Sequence, residues 1–231
     1  MNDESESSVS PPPKAAEAHA TGSVPMPLDV LTAAPAAPRK RPKPGERKVQ
    51  ILQTLAAMLE QPGADRITTA ALAARLDVSE AALYRHFASK AQMFEGLIEF
   101  IETSVFTLIN QVQERESGAW VQVQKMLTVV LQFAEKNPGM ARVMVGDALV
   151  FENERLLARM NQFFDRFESQ LRQCLRGAAD VSGSATPTLD ANAQASVLKA
   201  FAVGRLQLFA RSGFKRSPTE HLETALRLLA S

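Results

Sequence analysis

Cysteine, histidine and aromatic residues are scarce in this chain of 231 residues: it has one cysteine, three histidines, one tryptophan and one tyrosine. The single thiol, Cys174, can form neither an internal disulfide nor a cysteine-based zinc module, so we interpret it as a packing residue in a reducing compartment. No run of roughly 18 apolar residues occurs, as a membrane-spanning helix would need. The acidic start, MNDESESS, lacks the basic and apolar segments of a secretory signal. These absences predict a cytoplasmic protein with no membrane partner.

Groups that catalyse reactions or bind metals are also missing from the sequence. The histidines, His19, His86 and His221, are far apart, and no cluster of histidine, cysteine and carboxylate residues has the spacing of a metal site. No glycine-rich phosphate loop occurs. We therefore predict that the chain is not an enzyme and that it needs no metal or cofactor.

The charge of the chain is small overall but unevenly distributed. The formal net charge is +1, yet residues 39–90 carry ten basic residues against five acidic ones, whereas residues 1–38 are acidic and residues 91–231 are balanced. A basic segment of this size is typical of a nucleic-acid-binding module. The alternative interpretation is a solvated basic linker that has no partner.

Residues 1–44 are rich in proline, alanine and serine and contain nine of the 13 prolines. Such a segment cannot bury enough apolar surface to offset the entropy lost on ordering, so it is predicted to be disordered. Its basic end, RKRPKP at 39–44, either stays disordered or follows nucleic-acid phosphates into a minor groove.

From residue 45 onward, apolar residues recur with the spacing of amphipathic helices. A first helix begins near Glu46, and a long helix begins at Lys90 and runs to about residue 113. Further helices are predicted at about 69–75, 80–86, 120–135, 138–146, 149–176, 190–212 and 218–230. The predicted fold class is all-α.

Two short helices between residues 67 and 87 are predicted to meet across a three-residue turn, LDV at 76–78. Leu72, Leu83 and Phe87 are spaced to form a small core, and alanines keep the two helices close. This is the pattern of a helix-turn-helix, which places its second helix in the major groove of DNA.

Polar side chains mark the points where these helices begin. Thr69 and Ser79 are the predicted N-caps of the two short helices, and Ser89 with Gln92 forms a capping box for the long helix. A cap hydroxyl and the amides beside it also suit a phosphate. Lys90 starts the long helix, so we expect its position to be fixed and its charge to be free for the DNA backbone.

The stretch from Ile51 to Leu97 resembles the DNA-binding domain of TetR-family regulators, through ITT, LDVS, LYRHF and SK. Asp77 stands where the family usually has a turn glycine. The resemblance implies a TetR-like fold with a DNA-binding domain at 45–92, a helical dimerisation and partner-binding domain at 93–231, and a homodimer on palindromic double-stranded DNA. The residues expected to contact DNA are Thr68, Thr69, Ser79, Ala81, Ala82, Tyr84, Arg85, His86 and Lys90.

The similarity narrows to those TetR-family members that act in nucleoid occlusion, through LIEFIE, NPG, ALVFE and RMNQFF between residues 97 and 164. It implies a nucleoid-associated protein that, while on chromosomal palindromes, antagonises assembly of FtsZ, the tubulin-like division GTPase, and so blocks septum formation over the nucleoid. The residues expected to form the partner site are Phe100, Met93, Lys136 and Asn137.

Phe100 is the most informative residue of this set. It falls about 60° beyond the apolar stripe of the long helix, so it is either an exposed docking residue or part of a wider buried face. Leu108 stands where the resembled proteins have a basic residue. The alternative function is that of a ligand-responsive transcriptional repressor with a pocket in the C-terminal domain.

The helix at 190–212 is apolar almost all round, as expected of a helix that is buried on every side. We therefore predict that it lies in a symmetric four-helix dimer interface with the last helix. The residues predicted for that interface are Val197, Phe201, Leu206, Phe209, Leu222 and Leu226.

Overall fold

The structure is a computed structural model that describes residues 45–61, 66–182 and 185–229. Within these ranges the chain is helical and has no strand, which confirms the all-α prediction. The tail predicted at 1–44 lies outside the described residues. The helices are α1 (Glu46–Leu59), α2 (Thr69–Arg75), α3 (Glu80–Tyr84), α4 (Lys90–Arg115), α5 (Ala119–Lys136), α6 (Pro138–Met144), α7 (Glu154–Ser182), α8 (Pro187–Arg211) and α9 (Leu222–Leu229).

Several helix boundaries differ from the prediction, by up to six residues at the end of α7, and three of these shifts have local reasons. Helix α3 ends at Tyr84 rather than at residue 86, as the chain tightens into a turn closed by the hydrogen bond from His86 N–H to the Leu83 carbonyl, 2.9 Å. Helix α7 begins at Glu154 rather than at 149, because a short 3-10 turn precedes it. Helix α9 begins at Leu222 rather than at 218, because His221 adopts a left-handed φ of +53°.

Side-chain caps fix the starts of α2, α3 and α4. The Thr68 hydroxyl accepts a hydrogen bond from Ala71 N–H (3.1 Å), and Ser79 and Ser89 make the equivalent bonds at 3.3 and 3.2 Å. The cap of α2 is therefore Thr68 and not Thr69, which leaves the Thr69 side chain for another contact. Asp77 has a φ of +53°, the left-handed conformation that glycine adopts freely and aspartate tolerates.

Helix α4 joins the two parts of the fold. Leu72 and Leu83 are buried in the small core of the first three helices, which Phe87 completes. Helix α4 follows directly and buries a continuous stripe that includes Phe94 and Ile109. It packs against α1 at one end and against α5 and α7 along its length. The two short helices that precede it are therefore connected directly to a packed helix.

A second connection runs from α6 to α1. A Cβ atom added at Gly139 would lie only 2.1 Å from the Ala56 carbonyl oxygen, so this position requires glycine for the two helices to approach. The Glu60 carboxylate accepts a hydrogen bond from the Gly139 N–H. Burial raises the pKa of this carboxyl, and the hydrogen bond from Gly139 lowers it; burial has the larger effect, so the pKa lies above its usual value.

Candidate DNA-binding surface and partner site

The short helix α3 turns one side inward and the other outward. Leu83 is buried, whereas Ala81, Tyr84 and Arg85 are exposed. These three residues are spaced at i, i+3 and i+4, so they share a face. Ala82 and His86 are half-buried at the edges of that face. The structure therefore brings the residues predicted for the major groove to one exposed side of the helix.

The cap residues next to this helix are exposed as well. Thr68 and Ser79 use their hydroxyl oxygens to accept backbone hydrogen bonds. A hydroxyl that accepts still has a proton of its own to donate, so both side chains can bind a phosphate without giving up the cap.

Thr69 makes a different contact that sequence reasoning missed. Its hydroxyl donates to the Glu80 carboxylate at 2.6 Å, and the Tyr84 phenol donates to the Thr69 oxygen at 3.5 Å. Thr69 and Glu80 are 11 residues apart on different helices, so neither helical periodicity nor a capping motif pairs them. The chain of contacts joins α2 to α3 beside the exposed face.

Lys90 does not have the free charge expected of it. Its ammonium forms an ion pair with Glu152, from the turn before α7, and also lies 5.7 Å from the centre of the Phe94 ring. The side chains of Lys90 and Glu152 are only 23% and 10% exposed. Because the two residues are 62 positions apart in sequence, local pattern could not reveal the pair.

Two of the four residues predicted for the partner site are buried inside the chain, so these two assignments are wrong for this structure. Met93 is 0% exposed, as part of the inner stripe of α4. Asn137 is nearly as buried, and its side-chain amide donates to the Phe133 carbonyl at 2.8 Å. Neither side chain can contact a partner unless the first turns of α4, for Met93, or the junction of α5 and α6, for Asn137, unfold.

The other two partner-site residues lie on an accessible edge between α4 and α5. The half-buried Phe100 ring is 6.3 Å from the ring of the buried Phe133. Gln132 and Lys136 are exposed on α5, on either side of Phe133 in sequence. Leu108, which stands in place of a basic residue, is buried. We call Phe100, Gln132 and Lys136 the α4–α5 edge.

Ion pairs between α4 and α7 hold the neighbouring surface of α4. Arg159 makes a two-pronged contact with the Glu102 carboxylate, at 3.1 and 2.6 Å. This hydrogen bonding raises the pKa of the Arg159 guanidinium, so the group stays charged. Arg155 pairs with Glu95 at 2.9 Å, one turn earlier on α7 and two turns earlier on α4.

Helix α8 has two apolar faces, and most of the predicted interface residues of α8 and α9 are buried against their own chain. Four of the six residues are buried in their own chain and are not available to a second subunit: Leu206, Phe209, Leu222 and Leu226. Val197 is 52% exposed and Phe201 is half-buried beneath Arg205. A row spaced at three or four residues is exposed on the outer face; we call it the α8 stripe, and it consists of Val197, Ala200, Gly204 and Leu208.

Comparisons with known proteins identify the family. Residues 51–97 match bacterial regulatory proteins of the tetR family, and residues 117–231 match the tetracyclin repressor-like C-terminal domain. The nucleoid occlusion factor SlmA of Marinomonas sp. (strain MWYL1) is 51% identical over 178 residues, which cover 77% of this chain and 90% of that protein. SlmA of Aliivibrio fischeri (strain MJ11) is 49% identical over 191 residues, covering 82% and 97%. The chain belongs to the SlmA family of nucleoid occlusion factors.

Solved structures of other TetR-type regulators have the same fold as this SlmA-family chain. FadR of Bacillus subtilis, in complex with stearoyl-CoA, has a TM-score of 0.63 at 16% identity, covering 79% of this chain and 97% of that one. FadR of Bacillus halodurans has a TM-score of 0.65 at 14% identity, covering 81% and 96%. At this identity the likeness shows the fold alone.

The TetR family, to which SlmA belongs, consists of DNA-binding regulators that act as dimers, and none of the matches indicates an enzyme. Among the described residues, no group of three or more histidine, cysteine and carboxylate side chains could hold a metal ion. None of the helices described combines the length and the apolar character needed to cross a bilayer.

Proposed function

We propose that this chain binds palindromic chromosomal sites as a homodimer and, while bound, antagonises FtsZ assembly, which keeps the septum off the nucleoid. The observation that carries the proposal is the α4–α5 edge, where Phe100 lies half-buried against Phe133 of α5, the helix that also exposes Lys136, in a chain of the SlmA family. The protein would act in the cytoplasm on the nucleoid. Residues 45–92 would bind DNA, and residues 93–231 would dimerise and bind the partner.

On the DNA side, α3 offers Ala81 and Ala82 for apolar contact with bases and Arg85 for base or phosphate contact. Thr68, Ser79 and His86 would bind phosphates around it. Phosphate contacts fix the register of the protein on DNA, and base contacts select the sequence. A dimer built on the α8 stripe would present two such helices to the two halves of a palindrome.

On the partner side, the edge fits an extended peptide tail that has an apolar side chain and a negative charge. Phe100 gives such a tail an aromatic surface supported from below by Phe133, and Lys136 gives it a cation. Buried aromatic anchors of this kind contribute much of the affinity at interfaces.

The test measures FtsZ polymers by sedimentation, with the protein and operator DNA present. Wild type is expected to lower the amount of sedimented polymer. Phe100→Ala and Lys136→Glu are each expected to lose most of that effect while operator affinity stays close to wild type. An aromatic anchor of this type accounts for about 2 kcal/mol of partner affinity.

Two controls separate docking from damage to the fold. Phe214 is also half-buried against a buried phenylalanine, Phe209, with ring centres 5.2 Å apart. Phe214→Ala should therefore lower the melting temperature about as much as Phe100→Ala but keep the antagonism. Because Lys136 is exposed, Lys136→Glu should leave the melting temperature unchanged. Full antagonism in both edge variants would overturn the proposed docking site.

The ligand-responsive alternative gains no specific support from the described residues. A cleft of about 330 Å³ lies between α7 and the start of α8 and is lined by Ser169, Arg172, Gln173, Arg176, Gly177 and Thr188. Ligand pockets are mostly lined by apolar side chains, and none of these six residues has one.

A further inference from the structure

Glu80 places a carboxylate on the surface that faces DNA. It is the first residue of α3, and its side chain is exposed beside Thr69 and one turn from Tyr84. A negative charge here repels DNA phosphates and opposes binding. The position therefore calls for a compensating role, and sequence reasoning assigned none to this residue.

The hydrogen bonds around Glu80 have a definite direction. A carboxylate can only accept, and a hydroxyl has one proton to donate. Thr69 gives that proton to Glu80 at 2.6 Å, a short bond to a charged acceptor. The Thr69 oxygen is then left as an acceptor, and the Tyr84 phenol donates to it across 3.5 Å, which is a weak bond.

The direction of these hydrogen bonds gives the hydroxyls of Thr69 and Tyr84 different roles toward DNA. A DNA phosphate accepts hydrogen bonds and donates none, so it needs a proton from the protein. Thr69 has already given its proton to Glu80, whereas the long bond from Tyr84 leaves its proton open to a three-centre hydrogen bond, shared between a phosphate and the Thr69 oxygen. Tyr84 is therefore the donor at this point. Thr69 supports Tyr84 and does not contact DNA through its hydroxyl, in contrast to the prediction from the sequence.

We infer that Glu80 is a positioning residue for DNA binding: it holds the Thr69 hydroxyl so that the Thr69 oxygen carries the Tyr84 phenol at the edge of the recognition helix. The inference rests on DNA binding, which the family establishes, and is independent of any partner at the α4–α5 edge.

Two substitutions of Glu80 distinguish positioning from simple charge. Glu80→Gln removes the charge but keeps an oxygen that accepts from Thr69, so operator affinity should equal or exceed that of wild type. Glu80→Ala removes the same charge and also the acceptor. It should weaken operator binding about three- to tenfold, the range for one hydrogen bond. Charge alone would make both variants bind more tightly, and that result would overturn the inference.

The Tyr84→Phe background shows whether the effect passes through the phenol. In that background, Glu80→Ala should cause no further loss of operator affinity, because the group that it positions is gone. Independent, additive losses would overturn the inference. Glu114→Ala, which removes an exposed carboxylate near the other end of α4, is the control for net charge and should behave like wild type.

Thr69→Val keeps the test decisive if Glu80→Ala lowers the melting temperature. Valine has nearly the same shape as threonine but has no hydroxyl, and Glu80 stays in place at the start of α3. The loss of operator affinity in Thr69→Val should match that in Glu80→Ala and should likewise vanish in the Tyr84→Phe background. Wild-type operator binding by Thr69→Val would show that the relay does not exist.

Discussion

Residues 66–90 and helix α8 both expose side chains that a compact monomer has no need to expose, but the chemistry differs. The first region exposes polar and charged groups, such as the hydroxyls of Thr68 and Tyr84 and the guanidinium of Arg85. Helix α8 shows the α8 stripe, where Val197 and Leu208 are 52% and 46% exposed and no polar side chain lies between them in the row.

Water can solvate the first surface but not the second. Polar groups lose little free energy when their partner leaves, so a surface of this kind suits DNA, which is bound and released. Exposed apolar area costs roughly 25 cal/mol per Å², and the small residues Ala200 and Gly204 would allow another helix to approach closely. The α8 stripe therefore suits a second subunit that stays in place.

The largest expected effect separates the two faces of α8. Leu206→Glu places an unpaired charge in the core of its own chain and should cost several kcal/mol of folding free energy, so the protein should unfold or aggregate. Leu208→Glu, two residues on, places the same charge on the outer face. It should leave a folded monomer with much weaker operator affinity. Circular dichroism and sedimentation equilibrium measure the two outcomes.

A valine outside α8 and α9 provides the control for this comparison. Val121 on α5 is 40% exposed, so Val121→Glu should change neither the oligomeric state nor the fold. If Leu208→Glu remained a stable dimer with wild-type operator affinity, the α8 stripe would not be the dimer interface.

The sequence predicted those features that depend on neighbours along the chain. The two short helices, the Ser79 and Ser89 caps and the inner stripe of α4 all follow from residues within one or two turns of one another. Helix α8 shows where this reasoning fails. A helix that is apolar all round carries no periodic signal to distinguish the face toward its own chain from the face toward another, so the prediction placed the buried Leu206 in the interface and left out the exposed Leu208.

Contacts between distant segments account for the other errors at the site. The burial of Met93 depends on helices that pack against α4, and Asn137 is buried because its amide binds the carbonyl of Phe133 at the end of α5. The role of Glu152 was equally hidden, since only the folded chain brings it to Lys90. Sequence can indicate which residues are polar, but the tertiary packing decides which of them are free.

The Lys90–Glu152 pair allows an intermediate test of the surface that binds DNA. Glu152→Gln should release the Lys90 ammonium toward phosphates, so operator binding should tighten and the slope of log K against log salt should steepen by up to roughly 1. Lys90→Ala should weaken binding to all DNA sequences about equally, because phosphate contacts carry no sequence information. Fluorescence anisotropy over a salt series measures both.

The double variant decides whether the two residues act through each other. With Lys90→Ala in place, Glu152→Gln should have no effect on the salt slope, because no cation remains to be released. If Lys90→Ala leaves the slope unchanged from wild type, Lys90 makes no phosphate contact even when DNA is present, and the ion pair with Glu152 is permanent.

The smallest expected effect concerns the α1–α6 contact that supports the DNA-binding helices. Burial raises the pKa of Glu60 above its usual value, so the folded state binds this proton more tightly than the unfolded state does. The stability that this group contributes is therefore fully present below the unfolded pKa and is lost as the pH rises through the folded pKa. Glu60→Gln removes the charge but still accepts from Gly139, so it should raise the melting temperature slightly at pH 7, a small effect because Glu60 is exposed and solvent screens its charge. That advantage should disappear near pH 4, where wild type is protonated as well. A melting temperature below wild type at pH 7 would instead mean that the charged hydrogen bond to Gly139 outweighs the burial of the carboxylate.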